Sequence, residues 1–417
     1  MSTRLPTASS AVEPLRGYEK RKSKGFRFFR INTLSLAAFS GGIWAKTNLS
    51  ATFVEPMLNQ KKNCENQKFV CLAEVRIYIF CNFTPEMDWN MEVLKKNRAG
   101  RNRTLTVTSE EIVELQSHIL YPQSITETTE FSNRLINANI FDVIDSIPDG
   151  SANLIIIDPP YNLSKAFNSS SFTAKSDDKY EEYLRTWFPK VCAKLAPNGS
   201  LYMCGDWKCS YIQQKVISEH LTILNRITWQ REKGRGASAN WKNGMEDIWF
   251  AVNSPKDYYF NVDAVKMKRR VIAPYKENGK PKDWQTTAEG NIRITFPSNF
   301  WDDISIPFWS MPENTDHPTQ KSEKLIAKLI LASSKPGDLV FDPFVGSGTT
   351  CVAAKKLGRR YLGVEIDEEY CLWGAKRLLQ AETDSEIQGY SGGYFWERNS
   401  LNLQKQENSP KVQTLFE

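Results

Sequence analysis

Between about residue 130 and residue 385, short apolar runs alternate with longer amphipathic stretches. The runs at 153–157 (NLIII), 200–206 (SLYMCGD), 338–344 (DLVFDPF) and 359–367 (RRYLGVEID) are too short for helices and too apolar for half-exposed strands. They are predicted as buried strands. The intervening stretches repeat at the helical period. YEEYLRTWFPKVCAKLA predicts a helix over 180–196, stopped by Pro197-Asn198-Gly199. YIQQKVISEH predicts a helix ahead of a strand, LTILNRITWQ, and further helices follow at 319–334, in TTCVAAKKLG and in EEYCLWGAKRLLQAE. Upstream, Ser109-Glu110-Glu111 reads as a helix start, and 140–146 as a short helix before a turn at Pro148-Asp149-Gly150. Strands alternating with helices imply an α/β fold, a doubly wound and mostly parallel sheet covered on both faces.

Residues 231–312 break this rhythm. They are rich in Lys, Arg, Asn, Gly and Trp and poor in helical periodicity, and they include REKGRGASANWKNG and VKMKRRVIAPYKENGKPKDW. The block reads as an insertion between two halves of one domain, 93–230 and 313–385, with a C-terminal tail at 386–417. Residues 1–92 carry no motif. They hold the basic cluster Arg16–Arg30, an apolar patch at 34–45 and a strand-like run, VRIYIF, and read as a poorly ordered extension of unknown role. Met57, Met87 and Met91 are alternative starts. The basic lead and apolar patch resemble a secretory signal but lie too far from the first residue, and the rest reads as cytoplasmic.

Composition adds little. The chain of 417 residues is 41% hydrophobic and 24% charged, as globular domains are, and its net charge of +6 favours a polyanionic partner without establishing one. No stretch is long and apolar enough for a membrane span. Eight cysteines without a CxxC pair and only three histidines argue against a zinc site, and no metal is expected. The cysteines read as buried free thiols, which suits a reducing compartment.

Candidate chemistry lies at two strand ends. FDPFVGSGTT follows a strand and opens a helix, with Gly346 and Gly348 permitting a tight turn and close backbone approach to a ligand. GVEID ends the next strand on Glu365, 17 residues after Gly348 and placed for a ribose diol. No Gly-Lys-Ser/Thr follows, and the three-glycine dinucleotide pattern is incomplete. Both facts argue for a nucleoside cofactor without a pyrophosphate. The other end is Asp158-Pro159-Pro160-Tyr161. Its prolines fix the backbone and remove two donors, leaving carbonyls beside one carboxylate and one ring. Such a set would accept hydrogen bonds from an amino group on a planar base and stack on its face. The structural alternative is a rigid turn with a solvated Asp and a packing Tyr.

DPPY at 158–161, HPTQK at 317–321, FVGSG at 344–348 and GVEID at 363–367, in that order, resemble the amino-group DNA methyltransferases of restriction-modification systems. The catalytic motif precedes the cofactor motif, which is similar to the family's β class, a permuted, Rossmann-like S-adenosylmethionine-dependent fold. The resemblance implies that Phe344, Gly346 and Gly348 form the cofactor turn and that Glu365 takes the ribose hydroxyls. It implies that His317, Thr319 and Lys321 lie near the cofactor. Asp158 and the Pro159 carbonyl would hold the target amine, Pro160 would stiffen the turn, and Tyr161 would stack on a flipped base. Residues 231–312 would be the target-recognition region. Where relatives carry Gly-Asp this chain reads Asn137-Ala138-Asn139, so an acid is missing and Asn139 stands in its place as a substrate contact.

The chemistry is consistent with these assignments. An exocyclic amine is a poor nucleophile because its lone pair is delocalised. Two acceptors on its N–H groups favour a pyramidal nitrogen and stabilise the growing positive charge. The methyl of a sulfonium is already activated, so positioning does most of the rest and no cysteine nucleophile is needed. A base hidden in the duplex must be flipped out, at a cost of a few kcal/mol that aromatic stacking partly offsets. Lys266, Lys268, Arg269 and Arg270 form the densest basic run and are candidate phosphate contacts. Trp241 and Trp249 read as packing residues.

The expectation is a cytoplasmic enzyme, monomer or homodimer, that methylates adenine N6 in a short site of double-stranded DNA, with a restriction endonuclease acting separately. The alternatives are cytosine N4, an RNA or protein-amide substrate, and a non-catalytic DNA-binding module.

Overall fold

The sheet grows outward from the run at 152–157, and its neighbours arrive from both ends of the sequence. The computed structural model describes residues 99–166, 168, 171–231, 240–271, 276–287, 290–398 and 400, besides the short pair 35–36 and 47–48. The chain divides into two units, Met1–Arg98 and Ala99–Glu417. In the first, the described residues are the antiparallel pair Ser35–Leu36 and Thr47–Asn48. The Arg16–Arg30 cluster, VRIYIF and most of the apolar patch lie outside the described residues.

In the second unit α1 (Ile112–Ser117) leads to β1 (Ile119–Leu120) and β2 (Arg134–Asn137). α2 (Ile140–Val143) runs into a 3-10 turn and then β3 (Ala152–Ile157). α3 (Asp177–Ala193), β4 (Leu195–Gly205), α4 (Ser210–Ser218), β5 (Thr222–Gln230) and β6 (Met245–Val252) follow. β7 (Met267–Arg270), β8 (Gln285–Thr287) and β9 (Gly290–Thr295) leave the main sheet, and β10 (Phe300–Trp301) returns to it. α5 (Glu323–Ser333), β11 (Leu339–Asp342), α6 (Thr349–Lys356), β12 (Arg360–Glu365) and α7 (Glu368–Thr383) complete the α/β part, and β13 (Tyr390–Ser391) and β14 (Tyr394–Trp396) come last.

The main sheet has nine strands in the order β10-β5-β6-β4-β3-β11-β12-β2-β1. β4, β3, β11, β12, β2 and β1 are mutually parallel, while β6 runs antiparallel to both β4 and β5. The late strand β11 inserts beside the early strand β3, pairing Val340 with Leu154 and Phe341 with Ile155. This is the permuted, mostly parallel α/β sheet that the motif order implied.

The continuous apolar runs follow from burial on both faces. Leu154 and Ile156 join one core with α5, α6 and α7, whereas Ile155 and Ile157 join another with α3 and α4. Each fully buried Ile or Leu contributes about 1.5–3 kcal/mol.

Several expected boundaries move. Pro197-Asn198-Gly199 does not separate a helix from a strand but lies inside β4, where the pairing with β3 shifts register between Ala152 and Leu154. α1 begins at Ile112 with Glu111 as its N-cap residue, and the Glu111 carboxylate accepts from the Thr108 N–H. β2, a four-residue strand, carries too short an apolar run to stand out. The block 231–312 is not one insertion, since β6 is a buried strand of the main sheet. Nor are residues beyond 386 only a tail. β13 and β14 complete a second sheet, in the order β8-β9-β7-β14-β13. This sheet rests on α5, where Met267 and Phe395 pack with Ala327 and Leu331. α5 is therefore buried all round, and Lys324 and Lys328 reach Asp303 at 2.7 and 2.8 Å.

Candidate active site

A cleft of about 350 Å³ opens at the C-terminal ends of β3, β11 and β12, the edge where α/β sheets receive ligands. Three turns build it. The DPPY turn follows β3, the Gly-rich turn follows β11, and Glu365 ends β12. The HPTQK segment closes it from the side.

The Gly-rich turn is shaped by close approach. Gly348 has φ +84°, and a Cβ there would meet the Gly374 backbone at 2.7 Å, so α6 and α7 cross without side chains between them. Gly346 has φ +55°, and its Cβ would press on the His317 ring at 3.0 Å. The Gly346 N–H donates to Glu365 at 2.9 Å, and the Asp367 N–H donates to the other oxygen at 2.9 Å. Phe344 packs edge-on against Trp187, ring centroids 5.0 Å apart. His317 meets Tyr370 edge-on at 4.4 Å. Burial pushes the Glu365 carboxyl up to about 7, against the opposing effect of these backbone donors. Burial also raises Asp342 to about 7, although the Thr350 hydroxyl and Phe344 N–H donate to it.

At the DPPY turn the hydrogen bonds converge on Asp158. The Tyr161 hydroxyl donates to Asp158 Oδ1 at 2.8 Å, and Lys321 Nζ donates to Oδ2 at 2.5 Å. The Lys321 ammonium also lies 5.4 Å from the Tyr161 ring centroid. Burial alone would lower the Lys321 pKa, but the Asp158 and Glu246 carboxylates outweigh it and raise the value. Burial first, then the same two acids, pushes the Tyr161 hydroxyl well up. The Pro160 carbonyl accepts from Tyr180 at 3.0 Å, whereas among the described residues none donates to the Pro159 carbonyl. An ionised carboxylate offers about four lone-pair sites. Tyr161 and Lys321 use two of them, which leaves Asp158 and the Pro159 carbonyl able to accept from a guest.

Asp158, Pro159, Pro160, Tyr161, His317, Thr319, Lys321, Phe344, Gly346 and Glu365 all line this one cleft, as does Asn139. Gly348 stands just behind it as the N-cap residue of α6. Asn139 sits differently from expectation. It caps α2, accepting from the Phe141 N–H at 3.1 Å. It follows β2, whose partner β12 carries Glu365, so it stands at the Glu365 end rather than beside Asp158. The basic run is elsewhere. Lys268, Arg269 and Arg270 lie on β7 of the second sheet, with Lys266 just before it, and none lines the cleft. Lys266 pairs with Asp263 at 2.8 Å, and Lys268 lies over the Tyr394 and Trp396 rings. Arg269 approaches Asp302 and Glu397 at 3.7 and 4.0 Å. Trp249 is buried, as a packing residue should be, whereas Trp241 is 94% exposed.

Sequence reasoning missed Glu246 and Arg231. Both line the cleft. Glu246, on β6, is 3% exposed and accepts from Tyr161 at 3.2 Å. The signal was an acid pair, Glu246-Asp247, opening an apolar strand. Alternation sends Asp247 to the other face, where Ser210 donates to it at 2.8 Å.

A family model described as DNA methylase matches residues 152–376, and the chain belongs to that family, the amino-group (N6/N4) methyltransferases of DNA. It is 32% identical over 260 residues to the type II methyltransferase M.HpaI of Haemophilus parainfluenzae, covering 62% of this chain and 76% of that protein. It is also 32% identical over 262 residues to the DNA adenine methyltransferase YhdJ of Escherichia coli strain K12, covering 60% and 85%. Among solved structures, the M1.HpyAVI–SAM complex is 24% identical with a TM-score of 0.41, covering 58% of this chain and 98% of that one. DNA is the substrate. Among the described residues no helix is long and apolar enough to cross a membrane.

Proposed function

We propose that this enzyme transfers the methyl of S-adenosylmethionine to adenine N6 in a short duplex DNA site, as the modification enzyme of a restriction-modification system with a separate nuclease. The observation that carries the reading is the Asp158 carboxylate, anchored by Tyr161 and Lys321 at the tip of β3 and adjacent to the Gly-rich turn after β11. The DPPY spelling and the likeness to an adenine methyltransferase support adenine.

In this reading Glu365 would accept from the ribose hydroxyls, and Phe344, Gly346 and His317 would hold the cofactor. The cofactor supplies an activated methyl group on a cationic sulfur. The chain supplies position and charge. Asp158 and the Pro159 carbonyl accept the two N–H groups of the amine and oppose the charge that grows on nitrogen. The Tyr161 ring, tethered through its hydroxyl, gives the flipped base a flat face. The second sheet, with Lys266, Lys268, Arg269 and Arg270, serves as the target-recognition region together with the segment 231–244.

Asp158→Ala tests the central assignment. Methyl transfer is expected to fall by at least about 100-fold, while cofactor affinity by calorimetry stays within about threefold. Loss of cofactor binding in that variant would mean that Asp158 holds the cofactor instead of the amine.

A further inference from the structure

Four charged side chains meet at the wall of the cleft beside the DPPY turn. Glu246 accepts from Arg231 at 2.5 Å, lies 3.5 Å from Lys321 Nζ and accepts from the Tyr161 hydroxyl at 3.2 Å. Lys321 in turn holds Asp158 at 2.5 Å. The set holds two cations and two carboxylates. Side chains of Glu246 and Lys321 are 3% and 8% exposed, so water screens them little. Removing one charge from such a group leaves the others uncompensated.

We infer that Glu246 is a positioning residue for methyl transfer: its buried carboxylate fixes Tyr161 and shares Lys321 with Asp158, which keeps Asp158 aimed at the amine. This rests on the proposed reading of the DPPY turn. Tyr161 donates one proton that lies between two acceptors, Asp158 Oδ1 at 2.8 Å and Glu246 Oε2 at 3.2 Å, and so bridges β6 to the DPPY turn. Lys321 makes the same bridge with its ammonium. Without the Glu246 charge, the whole of the Lys321 ammonium turns on Asp158 and competes with the amine for its lone pairs. The base-stacking ring also loses one of its two anchors. An error of about an ångström at a reacting centre slows transfer by orders of magnitude without weakening cofactor binding. β6 thus acts on the site from the antiparallel strand of the sheet, across from both recognised turns.

The test uses the full chain and measures single-turnover transfer of labelled methyl to duplex DNA, per mole of cofactor bound. Glu246→Gln keeps the shape and removes the charge. It is expected to slow transfer at least about tenfold with cofactor affinity within about threefold. Tyr161→Phe should slow transfer too, and the loss in the double variant should be smaller than the product of the two single losses, because Tyr161 carries one of the two bridges that Glu246 makes. Overturning results are unchanged transfer in Glu246→Gln, losses that multiply in the double variant, or a loss of rate matched by a loss of bound cofactor. If Glu246→Gln fails to fold, Tyr161→Phe decides alone, and full activity in it overturns the inference. Absence of DNA methylation by the unaltered chain would instead overturn the functional reading itself.

Discussion

Glu365 is the residue at which burial bears most directly on the proposed cofactor binding. Its carboxyl is raised from 4.5 to about 7 by burial beside Asp367, with only backbone N–H groups to offset the cost. In the free protein the native state therefore holds a proton that the unfolded chain has lost between those values. The free fold accordingly weakens as pH rises through that window. Ribose hydroxyls donating to Glu365, as proposed, would favour the ionised form, so cofactor binding would release a proton. The dissociation constant should fall about tenfold per pH unit as pH rises towards 7 and level off above it. Calorimetry in buffers of different ionisation enthalpy reads the proton directly. Glu365→Gln should abolish the release, and an undiminished release in that variant would assign the proton to Asp342, whose carboxyl is raised to the same range. Residues at strand tips, Asp158 and Glu365 among them, were legible in the sequence because a polar group ending an apolar run has few structural uses. Glu246 was not, because it opens its strand and only the antiparallel direction of β6 carries it to the cleft.

Among the elements, those with a strong period were read within a few residues. β3, β12, α6 and α7 stand close to their expected positions. Elements set by tertiary partners were not. α5 was read as helical, but nothing local shows that Lys324 and Lys328 would be buried, because the sheet that covers them is drawn from residues 267–295 and 390–396. β14 is only three residues long, and it pairs with β7 residues 128 positions earlier, a relation no periodicity reports. Burial of Phe395 at 0% exposure makes that pairing testable. Phe395→Ala should destabilise the protein by about 3–5 kcal/mol in chemical denaturation. A change under about 0.5 kcal/mol would return these residues to the status of a loose tail.

At the scale of the molecule, two distant stretches of sequence become one site because β11 inserts next to β3. The DPPY turn and the Gly-rich turn are separated by 186 positions, Asp158 to Phe344, yet follow neighbouring strands. The motif order implied a permuted sheet, and the pairing of Val340 with Leu154 sets the adjacency within it. The second sheet is a separate matter. Lys266, Lys268 and Arg269 already have acidic or aromatic partners within the protein, so DNA bound there as proposed would have to share or displace those contacts. What the enzyme does to duplex DNA matters most. The direct measurement is to incubate it with labelled S-adenosylmethionine and synthetic duplexes of varied sequence, digest to nucleosides and identify the labelled species. N6-methyladenine, confined to duplexes that share a short sequence, is the expected product. Label found only as N4-methylcytosine would contradict the adenine assignment, and label absent from DNA would contradict the account as a whole.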